Sequence, residues 1–294
     1  MGVVGTTTKT DLYHEVRGQG PAVLMIDGAT GDAGHFTRTA ERLADEFTVV
    51  TYDRRGNSRS TAGGDAPGTA TMTAQADDAA SLIRAFGFSQ AVVFGTSGGA
   101  LVTLELLARD PAIVHGAVIH EPPLFSVLPS SESDGPPHQL LELAHADPRA
   151  AVEAFVKENS SEAAWKAIEP ATRERMLSNG ANLFGCELRE FLSYAPDPDA
   201  LCAAGVPVSL LRSRGGLPFA HPCCLGWARS SAWTVPEPCP ATTPRTSTCP
   251  SCSQRSCARS SETSGGSDTT GRRPPGHRLQ RRRPPTASAS RTPP

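Results

Sequence analysis

Nowhere in its 294 residues does the chain approach the roughly 20 consecutive apolar residues that a membrane-spanning helix needs. Its first residues also lack the charged-then-apolar layout of a secretory leader, so cytoplasm is the expected location. A third absence is confined to the end. After residue 220 there is no Lys, Ile or Met, while Pro, Arg, Ser, Thr and Cys dominate. A stretch so poor in aliphatic residues cannot bury enough surface to offset the entropy of ordering it, and a disordered tail over 221–294 is expected. The first 220 residues are short of cysteine. Of the eight in the chain only Cys186 and Cys202 fall there, and a disulfide framework would need an oxidising compartment that nothing else suggests.

The formal net charge of −2 is a composite of an acidic body and a basic end containing Arg281-Arg282-Arg283. That arginine run reads as a solvated charge cluster, and no nucleic-acid partner is expected. Cys249-Pro250-Ser251-Cys252 has CxxC spacing, but a zinc site wants two well-spaced pairs within a framework, so neither metal nor cofactor is expected.

The body has the rhythm of an α/β protein. Leu12 to Val16 alternates as an edge strand would, and Ala22 to Ile26 is wholly apolar, as in a strand covered on both faces. Phe36, Ala40, Leu43 and Ala44 keep helical spacing, and Phe47 to Tyr52 reads as another buried strand. It runs into the turn-rich Asp53-Arg54-Arg55-Gly56-Asn57-Ser58-Arg59-Ser60. Ala76, Ala79, Ile83 and Phe86 mark a helix, with Gly87 as its cap. Ala91 to Phe94 is a short strand, Ala100 to Ala108 a helix, and Ala117 to Ile119 a strand ending at His120-Glu121-Pro122-Pro123. The alternation predicts a mostly parallel, doubly wound sheet. From there to about residue 200 the pattern is helical and more polar, as expected of a cap. Val206 to Leu211 returns to strand character. The expected organisation is therefore a core over 1–121, a helical cap over 122–200, a core strand and loop over 201–220, and the tail.

Between the strand at Ala91 and the helix at Ala100 stands Gly95-Thr96-Ser97-Gly98-Gly99. G-x-S-x-G in this setting is a nucleophile elbow: the turn strains the serine, and small neighbours let strand and helix approach closely. Ser97 is the candidate nucleophile. An oxyanion hole needs the N–H after the nucleophile, from Gly98, and one from the loop after the earlier strand, where Asp27-Gly28-Ala29 offers the N–H of Ala29. That loop also reads as an ordinary strand-end turn.

Asp27-Gly28, the run from Tyr52 to Ser60, the elbow and His120-Glu121-Pro122-Pro123 follow one another as in bacterial α/β-hydrolase-fold proteins, especially actinobacterial ones. The resemblance covers residues 10–220, though most such relatives have His-Gly or Pro-Gly in place of Asp27-Gly28. It implies the α/β-hydrolase fold, a Ser-His-acid triad in the chain order Ser, acid, His, and a helical cap that sets substrate choice; the expected activity is hydrolysis of an ester or similar small acyl compound. The family usually carries its acid after the strand that here reads Val206 to Leu211, but Arg212-Ser213-Arg214-Gly215-Gly216 follows, without a carboxylate. Glu121, one strand earlier, is the candidate acid; it reads equally as a residue that fixes the turn before Pro122. Asp53 reads as a loop anchor and His120 as structural.

The resemblance also demands a late histidine, and the body offers none. His221 is too close to the preceding strand, and His277 lies in the Pro/Arg tail. A GC-rich gene read out of frame yields this tail's composition. Pro240-Ala241-Thr242-Thr243, read from each third base, permits Gly-Asp-His, and continuing from Cys239 to Ser253 permits a string like the family's histidine loop and final helix. A frameshift near Ala220 to Pro222 would thus have removed the catalytic base. The sequence leaves open a binding protein without catalysis.

Overall fold

The computed structural model describes residues 1–6, 10–61, 70–127 and 138–213, so the expected tail, His221, His277 and the cysteines beyond Cys202 lie outside the described residues. Seven strands form one sheet: β1 (Gly2–Gly5), β2 (Asp11–Arg17), β3 (Ala22–Ile26), β4 (Thr48–Tyr52), β5 (Ala91–Thr96), β6 (Val114–His120) and β7 (Val208–Leu211). Their order is β1-β2-β4-β3-β5-β6-β7. The first three in that order pair antiparallel, and the β4, β3, β5, β6 and β7 neighbours all pair parallel.

Alternation along β3 shows how the sheet is covered. Leu24 and Ile26 join one core with α2 (Met72–Ala85) and α3 (Gly98–Arg109), through Ala76, Ala79, Ile83, Leu101 and Leu104. Val23 and Met25 turn to the opposite face, where Ala40 and Leu43 of α1 (Thr37–Leu43) close over them. Successive residues point to opposite faces, so an all-apolar strand needs helices on both sides. The helix α2 ends at Gly87, whose φ of 76° is the left-handed conformation a glycine adopts without strain.

One expectation is corrected here. Leu12 to Val16 is not at an edge: β2 is flanked by β1 and β4, and β1 is the outer strand. The alternation was that of an outlying antiparallel strand with one face wet, a pattern that does not distinguish an edge from its neighbour.

Between β6 and β7 lies a helical insert: α4 (His138–Ala146), α5 (Pro148–Asn159), α6 (Glu162–Ala167) and α7 (Pro170–Ser178). A further run begins at α8 (Gly180–Asn182), passes through a π-helical turn at Leu183–Glu187, and ends in α9 (Leu188–Ser193). The short α10 (Pro198–Ala203) leads into β7. The insert has its own small cores, one of Leu140, Ala144 and Ala151, another of Val152, Trp165 and Met176, with Phe184 packed against both. Among the described residues no helix is long and apolar enough to cross a membrane.

Candidate active site

Ser97 sits where β5 gives way to α3, with φ 51° and ψ −122°. A non-glycine residue is seldom held there, and such strain persists only when the surroundings enforce it. Here they do. The Ser97 N–H donates to the His120 carbonyl at 2.9 Å, and its own carbonyl accepts the Ala100 N–H at 2.9 Å. Strand and helix meet without room for side chains: a Cβ on Gly95 would lie 2.3 Å from the Gly99 oxygen, and one on Gly99 would lie 2.3 Å from the Ile26 oxygen.

The loop after β3 is pressed against this serine. A Cβ on Gly28 would stand 2.8 Å from Ser97 Cβ and 3.3 Å from its Oγ, so only glycine brings the backbone this close. The Gly28 N–H is occupied by Asp27 Oδ1 at 2.7 Å. No hydrogen bond among the described residues uses the N–H of Ala29, which follows Gly28, or of Gly98, which follows Ser97.

Glu121 follows β6 with φ 49° and is buried; its Oε1 accepts the Ser213 N–H at 3.0 Å, which ties the end of β6 to the end of β7. His120 stands 2.8 Å from Thr96 Oγ1 through Nδ1 and 2.9 Å from Ser213 Oγ through Nε2, so both ring nitrogens are engaged. Asp53 anchors its loop by accepting the N–H groups of Ala33 and Arg59 and the Arg59 guanidinium. The other imidazoles lie elsewhere. His14 packs edge-on to Phe86, His115 is exposed, and His138 and His145 stay on α4 beside Glu142 and the Leu141 carbonyl. Among the described residues, no imidazole ring is hydrogen-bonded to Ser97.

Several groups here carry no signal in the sequence. Arg54, 1% exposed, forms an ion pair with Glu187, 0% exposed, from the π-helical turn of the insert. Asn57 Nδ2 also reaches Glu187, at 3.1 Å. Arg175 of α7 is paired with Asp32, and Asn179 donates to the Thr30 carbonyl while accepting from the Ser58 N–H. The insert is thereby fastened to the loop after β3 and to the loop after β4. No run of residues signals pairs so distant in sequence, and Arg54 and Glu187 lie 133 positions apart. Aromatic positions do follow an apolar logic: Phe191 packs against Gly98, and Trp165 fills a small core of the insert.

Beneath the loop, His35 Nδ1 lies 3.1 Å from Asp27 Oδ2 and 3.7 Å from Asp32 Oδ1. Burial alone would discourage its charge, but the two carboxylates outweigh this and push its pKa up to about 9 from an ordinary 6.5. A group whose pKa is raised by folding stabilises the protein fully below its unfolded value and loses that contribution as pH climbs through the folded one. The wild-type melting temperature is therefore expected to fall between about pH 6.5 and pH 9, and His35→Gln to flatten that portion of the profile. A variant curve parallel to the wild type would rule this out. Among the described residues no cluster of three or more His, Cys, Asp or Glu is arranged to hold a metal ion.

Residues 21–151 match the family model described as alpha/beta hydrolase fold. An uncharacterized hydrolase of Bacillus subtilis is 35% identical over 191 residues, covering 65% of this chain and 69% of the relative. Two further relatives are matched over only 42% and 40% of their own length. Among solved structures, an alpha/beta hydrolase from Sphaerobacter thermophilus superposes with a TM-score of 0.61 at 25% identity, over 78% of this chain and 88% of that one. A thermophilic esterase from Thermogutta terrifontis, solved with malate, gives 0.56 at 21% identity, over 78% and 85%, a likeness of fold.

Proposed function

Because this chain belongs to the α/β-hydrolase family, we propose that it is a serine-dependent hydrolase scaffold for an ester or a similar small acyl compound, impaired by loss of its catalytic base. The observation that carries this reading is the backbone of Ser97, strained at φ 51° and faced by the bare Gly28. Ser97 Oγ attacks the carbonyl carbon, and the oxygen that becomes negative is held by the N–H groups of Gly98 and Ala29. Collapse of that intermediate expels the alcohol and leaves the acyl group on Ser97, from which water releases the acid. Glu121 is the acid that would orient a histidine and stabilise its charge.

With the late histidine removed, as the sequence implies, the Ser97 proton passes to solvent. Loss of a triad member lowers the rate by about 10⁴ to 10⁶. The helical insert then serves as the cap that shapes the substrate pocket. Hydrolysis of p-nitrophenyl acetate by the chain and by Ser97→Ala, measured side by side, tests this. Slow turnover that Ser97→Ala abolishes is expected. Identical rates would remove Ser97 from the chemistry, and fast Ser97-dependent turnover would mean that another residue supplies the base.

A further inference from the structure

Arg54 uses its whole guanidinium at one place. Its Nε donates to the Asp27 carbonyl at 3.0 Å, and one terminal nitrogen donates to the Gly28 carbonyl at 2.8 Å. The remaining N–H groups go to Gln75 Oε1 at 2.7 Å and to both carboxylate oxygens of Glu187. The ring of Phe191 lies 5.6 Å from the guanidinium carbon. A buried cation so completely engaged has one orientation, and it holds two successive carbonyls of the loop that faces Ser97.

Peptide planarity turns this grip into an orientation of the next donor. In a trans peptide the C=O and the following N–H point in opposite directions. The Gly28 carbonyl is aimed at Arg54, so the N–H of Ala29 is aimed away from it, and that N–H has no partner among the described residues. Turning that peptide over changes ψ of Gly28, which has no Cβ to obstruct it, together with φ of Ala29. Turned over, the same unit would present a carbonyl oxygen where the donor is needed.

We infer that Arg54 is a positioning residue that holds the Gly28–Ala29 peptide in its donating orientation, and that Glu187 ties this orientation to the docking of the helical insert. The inference rests on the reading of Ala29 as an oxyanion donor, and it extends that reading to a residue on a different loop and a residue of the insert. Docking of the insert and formation of the hole become one event. Release of Glu187 leaves Arg54 without its counter-charge and loosens its hold on both carbonyls.

Two variants separate positioning from simple charge pairing. Arg54→Lys keeps a cation beside Glu187 but lacks the planar fork that reaches two carbonyls at once. The double variant Arg54→Met/Glu187→Met removes both buried charges together, and it keeps the question open to test if the lysine variant does not fold. Crystal structures of each should show the Gly28 carbonyl turned or split between orientations. The rate at which a fluorophosphonate captures the Ser97 hydroxyl should fall by about 10² to 10³, the scale of losing one oxyanion donor. A Gly28–Ala29 peptide unmoved in both variants overturns the inference. A turned peptide with capture at the wild-type rate instead overturns Ala29 as donor and upholds the hold of Arg54 on the loop.

Discussion

Glu187→Leu is expected to lower the stability of the protein by about 3–5 kcal/mol, the penalty for stranding one charge of a buried pair. Arg54 and Glu187 are 1% and 0% exposed, so water cannot take the place of the missing carboxylate. For a domain of this size each kcal/mol moves the melting temperature by about 2–4 °C, so a drop on the order of 10 °C should be read by thermal denaturation. Removing an exposed pair such as Arg149–Glu174 should be almost silent, because solvent already screens it. A melting temperature unchanged by Glu187→Leu would show that the pair has little part in holding the insert to the core.

On the reading that a frameshift near Ala220 to Pro222 removed the base, a single-base correction there is the change expected to affect activity most. The codons for Pro240 to Thr243 permit Gly-Asp-His one base out of register, and a histidine in that loop would take the proton from Ser97 and return it to the leaving alcohol. A single-base correction near the codons for Ala220 to Pro222 should raise p-nitrophenyl acetate turnover by about 10⁴ to 10⁶ over the chain as it stands. The gain should vanish when Ser97→Ala is combined with the correction. Corrected protein that is folded yet no faster would show that the shifted frame does not encode the missing base.

Much of the sheet was legible because burial writes itself locally. The run Ala22 to Ile26 is apolar throughout and is a strand of that length, with all five residues buried. The elbow was legible for the same reason: Gly95, Ser97 and Gly99 lie within one turn, and the constraint that selects them acts within that turn. The strand Gly2–Gly5 is not legible. It is four residues long and begins and ends in glycine, and its Val3 is 59% exposed, so neither length nor apolar pattern marks it.

Charge was the least legible feature. In the sequence Asp78 is only one charge of an acidic body; in the fold it is buried and paired with Arg55. Arg54 lies in a polar, turn-rich loop, and only the fold brings it under Gly28 and against Glu187. Hydrophobic spacing reports which face of an element is buried, but says nothing about which distant partner neutralises a buried charge. Asp27 is a related case. Its carboxyl is pushed up by burial against the opposing pull of His35, a relation that the Asp-Gly pair alone does not disclose.

The most direct measurement is the site of covalent capture. The protein is incubated with a fluorophosphonate, digested, and its modified peptide identified by mass spectrometry, with Ser97→Ala treated in parallel. A slow adduct confined to Ser97 and lost in Ser97→Ala is the result the proposed function predicts. An adduct on another residue, or one that forms equally in Ser97→Ala, is incompatible with Ser97 as the nucleophile of this protein.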